Sequence, residues 1–227
     1  MTHREIVIDG ADQTPEPPAP GSANGIRSKS AGPEVVELNG AQRPVDLRAA
    51  EQAATDLLTA LGIDLDREER RDTPARMARA YAELFAAQPF RLTTFPNDEG
   101  YDELVLARAI PFRTLCEHHM LMFSGVAHVG YLPGDRILGL SKLARLAEHF
   151  AHRPQVQERL TKQIADWLVG QLQPRGVGVV IEAEHTCMTL RGVQAIGAST
   201  VTSTLLGMLR DDARSRSEFF ALTGVNP

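Results

Sequence analysis

Cysteine is scarce in this chain of 227 residues, which holds two, Cys116 and Cys187. So small a number argues against a disulfide-stapled scaffold and leaves buried thiols or metal ligands as the alternatives. A surplus of positive charge is also missing. Lys and Arg number 24 against 29 Asp and Glu, for a formal net charge of -5. That balance excludes a broad basic face for long nucleic acid, so an anionic ligand must be met by a local cluster of cations. Long apolar runs are absent as well: none follows Met1-Thr2-His3-Arg4-Glu5, and none is long enough to span a bilayer. Neither a signal peptide nor a membrane partner is expected, and the expected location is the cytoplasm. What is present is a globular composition, 43% hydrophobic and 23% charged, which can build a packed core.

The first 44 residues hold Pro15, Pro17, Pro18, Pro20, Pro33 and Pro44 among Gly and Ser. They are expected to form a disordered tail, because such a segment buries too little apolar surface to offset its ordering entropy. The remainder, 45–227, reads as one domain with a helical part over about 45–100 and a mixed part over about 101–227. Leu47, Ala50, Ala54, Leu57, Leu58 and Leu61 fall on one helical face, with Asp46 as cap and Gly62 as stop. Thr73-Pro74 opens a second helix with the stripe Met77, Tyr81, Leu84 and Phe85.

The period then changes to two. Leu104–Phe112 and Phe123–Tyr131 read as strands. Ser141 is placed to cap a helix that Pro154 ends, and Val156, Leu160, Ile164, Leu168 and Leu172 mark another. Val177–Ala183 and Ala198–Leu209 read as strands, and a last helix spans roughly Asp212 to Leu222. Strand pairs joined by short links favour antiparallel pairing and an α+β class.

The chemistry concentrates at two strand ends. Cys116-Glu117-His118-His119 offers a C-x-x-H pair, Cys116 and His119, able to reach one metal from a single turn. Glu184-His185-Thr186-Cys187 brings Cys187, which completes a Cys2His set if the two strands are sheet neighbours. Three protein ligands leave a fourth tetrahedral position for water, the pattern of catalytic rather than structural zinc. The alternative is a pair of buried thiols beside a core histidine. His118 and His185 remain for proton transfer. Lys142 and Arg145 share a face on the first turn of a helix, where an anion is favoured, and Arg191 adds a cation close to Cys187. Arg76 and Arg79 join them only if another element brings them in. Gln157 and Glu158 open the helix after Pro154. There an acidic side chain either meets the N–H groups of a guanine or simply complements the helix end.

Five strings together resemble the type I GTP cyclohydrolases: Thr73-Pro74-Ala75-Arg76-Met77-Ala78, Leu115-Cys116-Glu117-His118-His119, Gly139-Leu140-Ser141-Lys142, Arg153-Pro154-Gln155-Val156-Gln157-Glu158-Arg159-Leu160 and Met188-Thr189-Leu190-Arg191-Gly192. The resemblance runs from about Asp46 to Gly224. It implies the tunnelling fold, an antiparallel sheet with helices packed on one side and a helical N-terminal part. It also implies a decamer of two pentamers with active sites between subunits.

Carried over residue by residue, it makes Cys116, His119 and Cys187 the ligands of Zn2+. Glu158, helped by Gln157, holds guanine. Lys142, Arg145, Arg191, Arg76 and Arg79 hold the triphosphate. His118, His185 and Ser141 are the catalytic acid–base and ribose-side groups. The implied reaction converts GTP and water to formate and 7,8-dihydroneopterin triphosphate by zinc-hydroxide attack at C8, the opening step of pterin and tetrahydrofolate synthesis. Met122 and Leu206 stand where the family pattern has proline and, in many members, arginine.

Relatives on the same fold fit less well. A pyruvoyl-tetrahydropterin synthase holds zinc by three histidines, and a nitrile reductase needs a metal-free nucleophilic cysteine. The H-x-E and P-C-x-x-C pattern of nucleobase deaminases is absent. A non-catalytic zinc-stabilised oligomer would have no need of His118 or His185.

Overall fold

The computed structural model describes residues 34–38 (backbone pairing alone), 44–86 and 90–225. The order is β1 (Glu34–Leu38), α1 (Leu47–Ala60), α2 (Thr73–Phe85), β2 (Phe90–Pro96), β3 (Val105–Cys116), β4 (Met122–Leu132) and β5 (Arg136–Leu138). There follow α3 (Ser141–Ala151), β6 (Pro154–Gln155), α4 (Gln157–Leu172), β7 (Gly176–His185), α5 (Thr186–Thr189), β8 (Thr200–Gly207), α6 (Met208–Asp211) and α7 (Ala213–Thr223). The α+β class is as expected from the alternation of periods. No helix among the described residues is long and apolar enough to cross a membrane.

Two expectations about the N-terminal third need correction. Glu34–Leu38, read as part of the tail, pairs antiparallel with β2, and β2 itself lies inside the segment read as helical. Pairing with β5 completes a three-stranded sheet, β1-β2-β5. The run Glu34-Val35-Val36-Glu37-Leu38 has apolar residues enough for a strand, but the prolines on either side masked it. The rest of the expected tail lies outside the described residues.

The larger sheet has the order β6-β3-β4-β7-β8. Its four long strands are antiparallel, and the short β6 runs parallel to the end of β3. Antiparallel alternation makes β3 and β7 run the same way with β4 between them. Their C-terminal ends therefore share one edge of the sheet, although they are not neighbours.

One face is covered by α3 and α4. Phe112, Phe123, Val129, Tyr131, Val177, Val179 and Ile181 from the strands meet Leu143 and Leu146 of α3 and Leu160, Ile164 and Leu168 of α4 in one buried core. Each such side chain contributes about 1.5–3 kcal/mol on burial. The i, i+4 spacing along α4 is what points its leucines and Ile164 at the sheet. Helical cover is not confined to that face. Phe219 of α7 lies over the opposite face, where a Cβ added to Gly178 would stand 2.7 Å from its ring. Leu132, Val180, Leu209 and Phe219 form a second small core there.

Helix ends follow local chemistry. Asp46 Oδ1 accepts from the Ala49 N–H at 3.0 Å, as expected of a cap, and Asp212 accepts from Ser215 at the start of α7. Ser141 differs from expectation: it is the first residue of α3, Leu140 takes the cap position, and no side chain caps the helix.

Candidate active site

The β3–β4 hairpin builds the first half of the site. Cys116 ends β3, and its N–H donates to Leu121 O at 2.8 Å, closing a short loop. Inside it, the His119 and Met120 N–H groups both reach Cys116 O, at 3.3 and 2.8 Å, and Met120 takes a left-handed φ of 53°. This tight turn folds His119 back toward Cys116, with Nδ1 3.9 Å from the Cys116 Sγ.

Two strands away, β7 ends at His185 and the chain turns into α5, which carries Cys187. The ligand atoms of Cys116, His119 and Cys187 all lie within 4.8 Å of one another. The expected Cys2His set is thus brought together, but by strands that flank β4 rather than by adjacent ones. His118 Nδ1 is also 3.9 Å from Cys116 Sγ, yet it is outside the mutually close group. The Cys187 thiol is pushed up from its ordinary pKa by burial and by the Cys116 thiol beside it, while the Arg191 guanidinium pulls the other way. A cation beside Cys187 would offset the burial that disfavours its thiolate.

The second half of the site comes from α4. β6 pairs with Leu115 and Cys116, so the next residues, Gln157 and Glu158, start α4 at the same sheet edge. Glu158 is exposed and close enough to raise the pKa of His185, against a larger lowering by burial. His185 is half-buried and lies on the Phe123 ring, centroids 4.3 Å apart and planes at 10°. Its Nε2 is 2.7 Å from Gln157 Oε1.

Gln157 departs from its expected role. Its side chain is 2% exposed, and its amide nitrogen donates toward Ile181 O, Thr200 O and Thr202 Oγ1 at 3.1, 2.8 and 3.2 Å. With Oε1 against His185, that side chain has no polar atom left for a guanine. The carbonyls of Ile181 and Thr200, the Thr202 hydroxyl and the His185 ring give its amide partners in the buried position.

The cations are less assembled. Lys142 is half-buried, and its Nζ donates to Arg91 O at 2.7 Å, which ties the start of α3 to β2. Arg145 and Arg191 are exposed, as is Ser141. Arg76 bonds within its own neighbourhood, to Glu69 O and Thr73 Oγ1, each at 3.1 Å. Arg79 is exposed on α2, and no interaction among the described residues brings either arginine to the Cys2His group. The helical part touches the site through a different residue, Tyr81, whose Oη donates to Met120 O at 3.3 Å.

Sequence reasoning missed the struts. Glu117 and Arg159 form a two-pronged ion pair that binds the metal turn to the first turn of α4. Arg159 Nε also donates to the fully buried Gln155 at 3.1 Å. Opposite charges inside two motifs already singled out were the available signal. Nothing in the sequence marked Phe123 as the ring beneath His185.

Comparison with known proteins bears on the same residues. The sequence profile described as GTP cyclohydrolase I matches residues 50–224. The GTP cyclohydrolase 1 of Mycobacteroides abscessus is 53% identical over 197 residues, covering 84% of this chain and 97% of its own. That of Mycobacterium ulcerans is 55% identical over 78% of this chain and 90% of its own length. That of Corynebacterium glutamicum is 52% identical over 82% and 98%. With the profile spanning the helical part, both site motifs and α7, this chain belongs to the GTP cyclohydrolase I family.

Proposed function

We propose that the chain is a GTP cyclohydrolase I, converting GTP and water to formate and 7,8-dihydroneopterin triphosphate. The observation that carries this reading is the meeting of a Cys2His group with Glu158 and His185 at one end of the sheet. The donor set fits zinc. Sulfur and imidazole are its preferred ligands, and tetrahedral Zn–S and Zn–N bonds set S and N about 3.6 Å apart, near the 3.9 Å between Cys116 Sγ and His119 Nδ1. Zinc bound there would supply Lewis acidity that brings the pKa of a water toward neutrality.

The other steps belong to the chain's own residues. The Glu158 carboxylate accepts the ring N–H and amino hydrogens of guanine. His185, held on Phe123, hands a proton to the ring nitrogen as the five-membered ring opens and C8 departs as formate. The freed amine then closes onto the rearranged ribose carbons, with His118 and Ser141 moving protons on that side. Lys142, Arg145 and Arg191 hold the triphosphate, whose remote binding energy orients the base.

Arg76 and Arg79 enter from another copy, in a decamer of two pentamers with sites between subunits. Three features support that assembly. Val105–Thr114 has no strand beyond it on the β6 side, and β8 has β7 on one side alone among the described residues. A groove of about 600 Å³ runs along the open β3 edge. Leu190, Val193 and Ile196, just after Cys187, are 71, 73 and 87% exposed. A cytoplasmic setting suits thiol ligands, which need a reducing compartment. Incubation with GTP tests the reading: formate and, after oxidation, a fluorescent pterin are expected, and neither appearing with the zinc-loaded protein would overturn it.

A further inference from the structure

We infer that Gln157 is a positioning residue that holds His185 with its hydrogen on Nε2, leaving Nδ1 as the ring nitrogen that meets substrate. The role of His185 in proton transfer rests on the function proposed above; the placement of its hydrogen does not.

The assignment follows from obligate hydrogen-bonding roles. Ile181 O and Thr200 O are backbone carbonyls and can only accept. The Gln157 side-chain atom lying 3.1 and 2.8 Å from them must therefore be the NH2 group. The other terminal atom, facing His185 at 2.7 Å, is then the carbonyl oxygen, which can only accept. His185 Nε2 must carry the hydrogen. The hydroxyls nearby close the same circuit. Thr161 Oγ1 lies 2.8 Å from Gln157 O, so it donates there. Its 2.6 Å contact with Thr202 Oγ1 must then run from Thr202 to Thr161. That leaves a Thr202 lone pair for the Gln157 amide at 3.2 Å. Every donor finds an acceptor in one direction around the network; flipping the Gln157 amide would oppose two carbonyls to a third oxygen.

Burial gives the arrangement its stiffness. Gln157 is 2% exposed and Thr161 1%, so a reversed amide would leave several unpaired polar atoms away from water. His185 is thereby fixed in three ways: by β7 register against Phe123, by the Phe123 ring under it, and by Gln157 at Nε2. Nδ1 has no hydrogen-bond partner among the described residues. A rigid imidazole with one committed and one free nitrogen is what an oriented proton donor needs.

Two experiments test this. In a neutron structure of the zinc-loaded wild-type protein in D2O, a deuteron is expected on His185 Nε2, whatever the state of Nδ1. A bare Nε2 overturns the inference. This arm needs no turnover, so it stands apart from any failure of the proposed function. The second is a double-mutant cycle of Gln157→Met and His185→Ala, reading kcat and KM for GTP. Gln157→Met is expected to lower kcat by about 10²-fold with KM unchanged, within the range of lost acid–base catalysis. In the His185→Ala background it should cost no further factor. Equal losses in both backgrounds would make Gln157 a packing residue only. Should Gln157→Met not fold, the neutron arm decides alone.

Discussion

The two halves of the site are built differently. The proposed metal and proton residues lie within one chain: Cys116 is buried, Gln157 is packed between the first turn of α4 and the sheet, and His185 is stacked and hydrogen-bonded, while His119 is exposed. The cation half is open. Arg145 and Arg191 stand in solvent, and Arg76 and Arg79 sit on a helix whose Tyr81 donates to Met120 O in the metal turn. The contrast follows from what each half must do. Bond-making groups need sub-ångström placement, which only a packed core supplies. In the proposed assembly, phosphate oxygens would be met by long cationic side chains, which a second subunit can bring at lower cost in ordering.

The harshest way to break the first half is Cys187→Ser. Removing one of three ligands is expected to strip zinc and abolish turnover, read by metal content per chain and by formate release. Full activity in a metal-free sample would sink the assignment. Next in size is His185→Ala, expected to slow formate release by roughly 10²–10⁴-fold while zinc and GTP binding persist.

The comparison itself is sharpened by mixing. Arg76→Ala alone is expected to weaken GTP binding by roughly 10–100-fold, the loss of a charge-assisted contact. Unfolded and refolded together with Cys187→Ser, it should regain activity, because some interfaces then combine an intact arginine with an intact metal group. No recovery in mixed oligomers would place Arg76 outside the site. Arg159→Met is a milder probe of the strut to Glu117. It is expected to loosen the metal turn, raising the zinc dissociation constant by about 10–100-fold, read by chelator competition.

The smallest effect concerns the sheet away from both halves. His128 is 5% exposed with Nδ1 unpartnered among the described residues, and burial and Arg108 lower its pKa from 6.5, with Glu182 opposing. A depressed folded-state pKa means the unfolded chain protonates first. Stability is therefore fully present above about pH 6.5 and is lost as pH falls toward the folded-state value. His128→Leu should flatten that part of the stability curve, measured by denaturant midpoints from pH 7.5 down to about 5.

The sequence determined a good deal by itself. Periodicity placed α1, α2, α4, β3, β4 and β7 within a few residues, since each carries an apolar stripe of one clear period. Spacing singled out Cys116, His119 and Cys187, and these do converge. Short or flanked elements such as β1, β2, β5 and β6 stayed illegible, because a few residues carry no period and their pairing energy comes from distant partners.

The tertiary structure alone decided the rest. Strand order put β4 between β3 and β7, yet their common direction still brought Cys116 at the end of β3 and Cys187 just after β7 to the same end of the sheet. It also turned Gln157 away from the open site and onto the Nε2 edge of His185. From sequence, Gln157 and Glu158 are two polar neighbours at a helix start. One faces solvent and the other the sheet, because successive residues on a helix point about 100° apart and the core takes whichever side chain faces it.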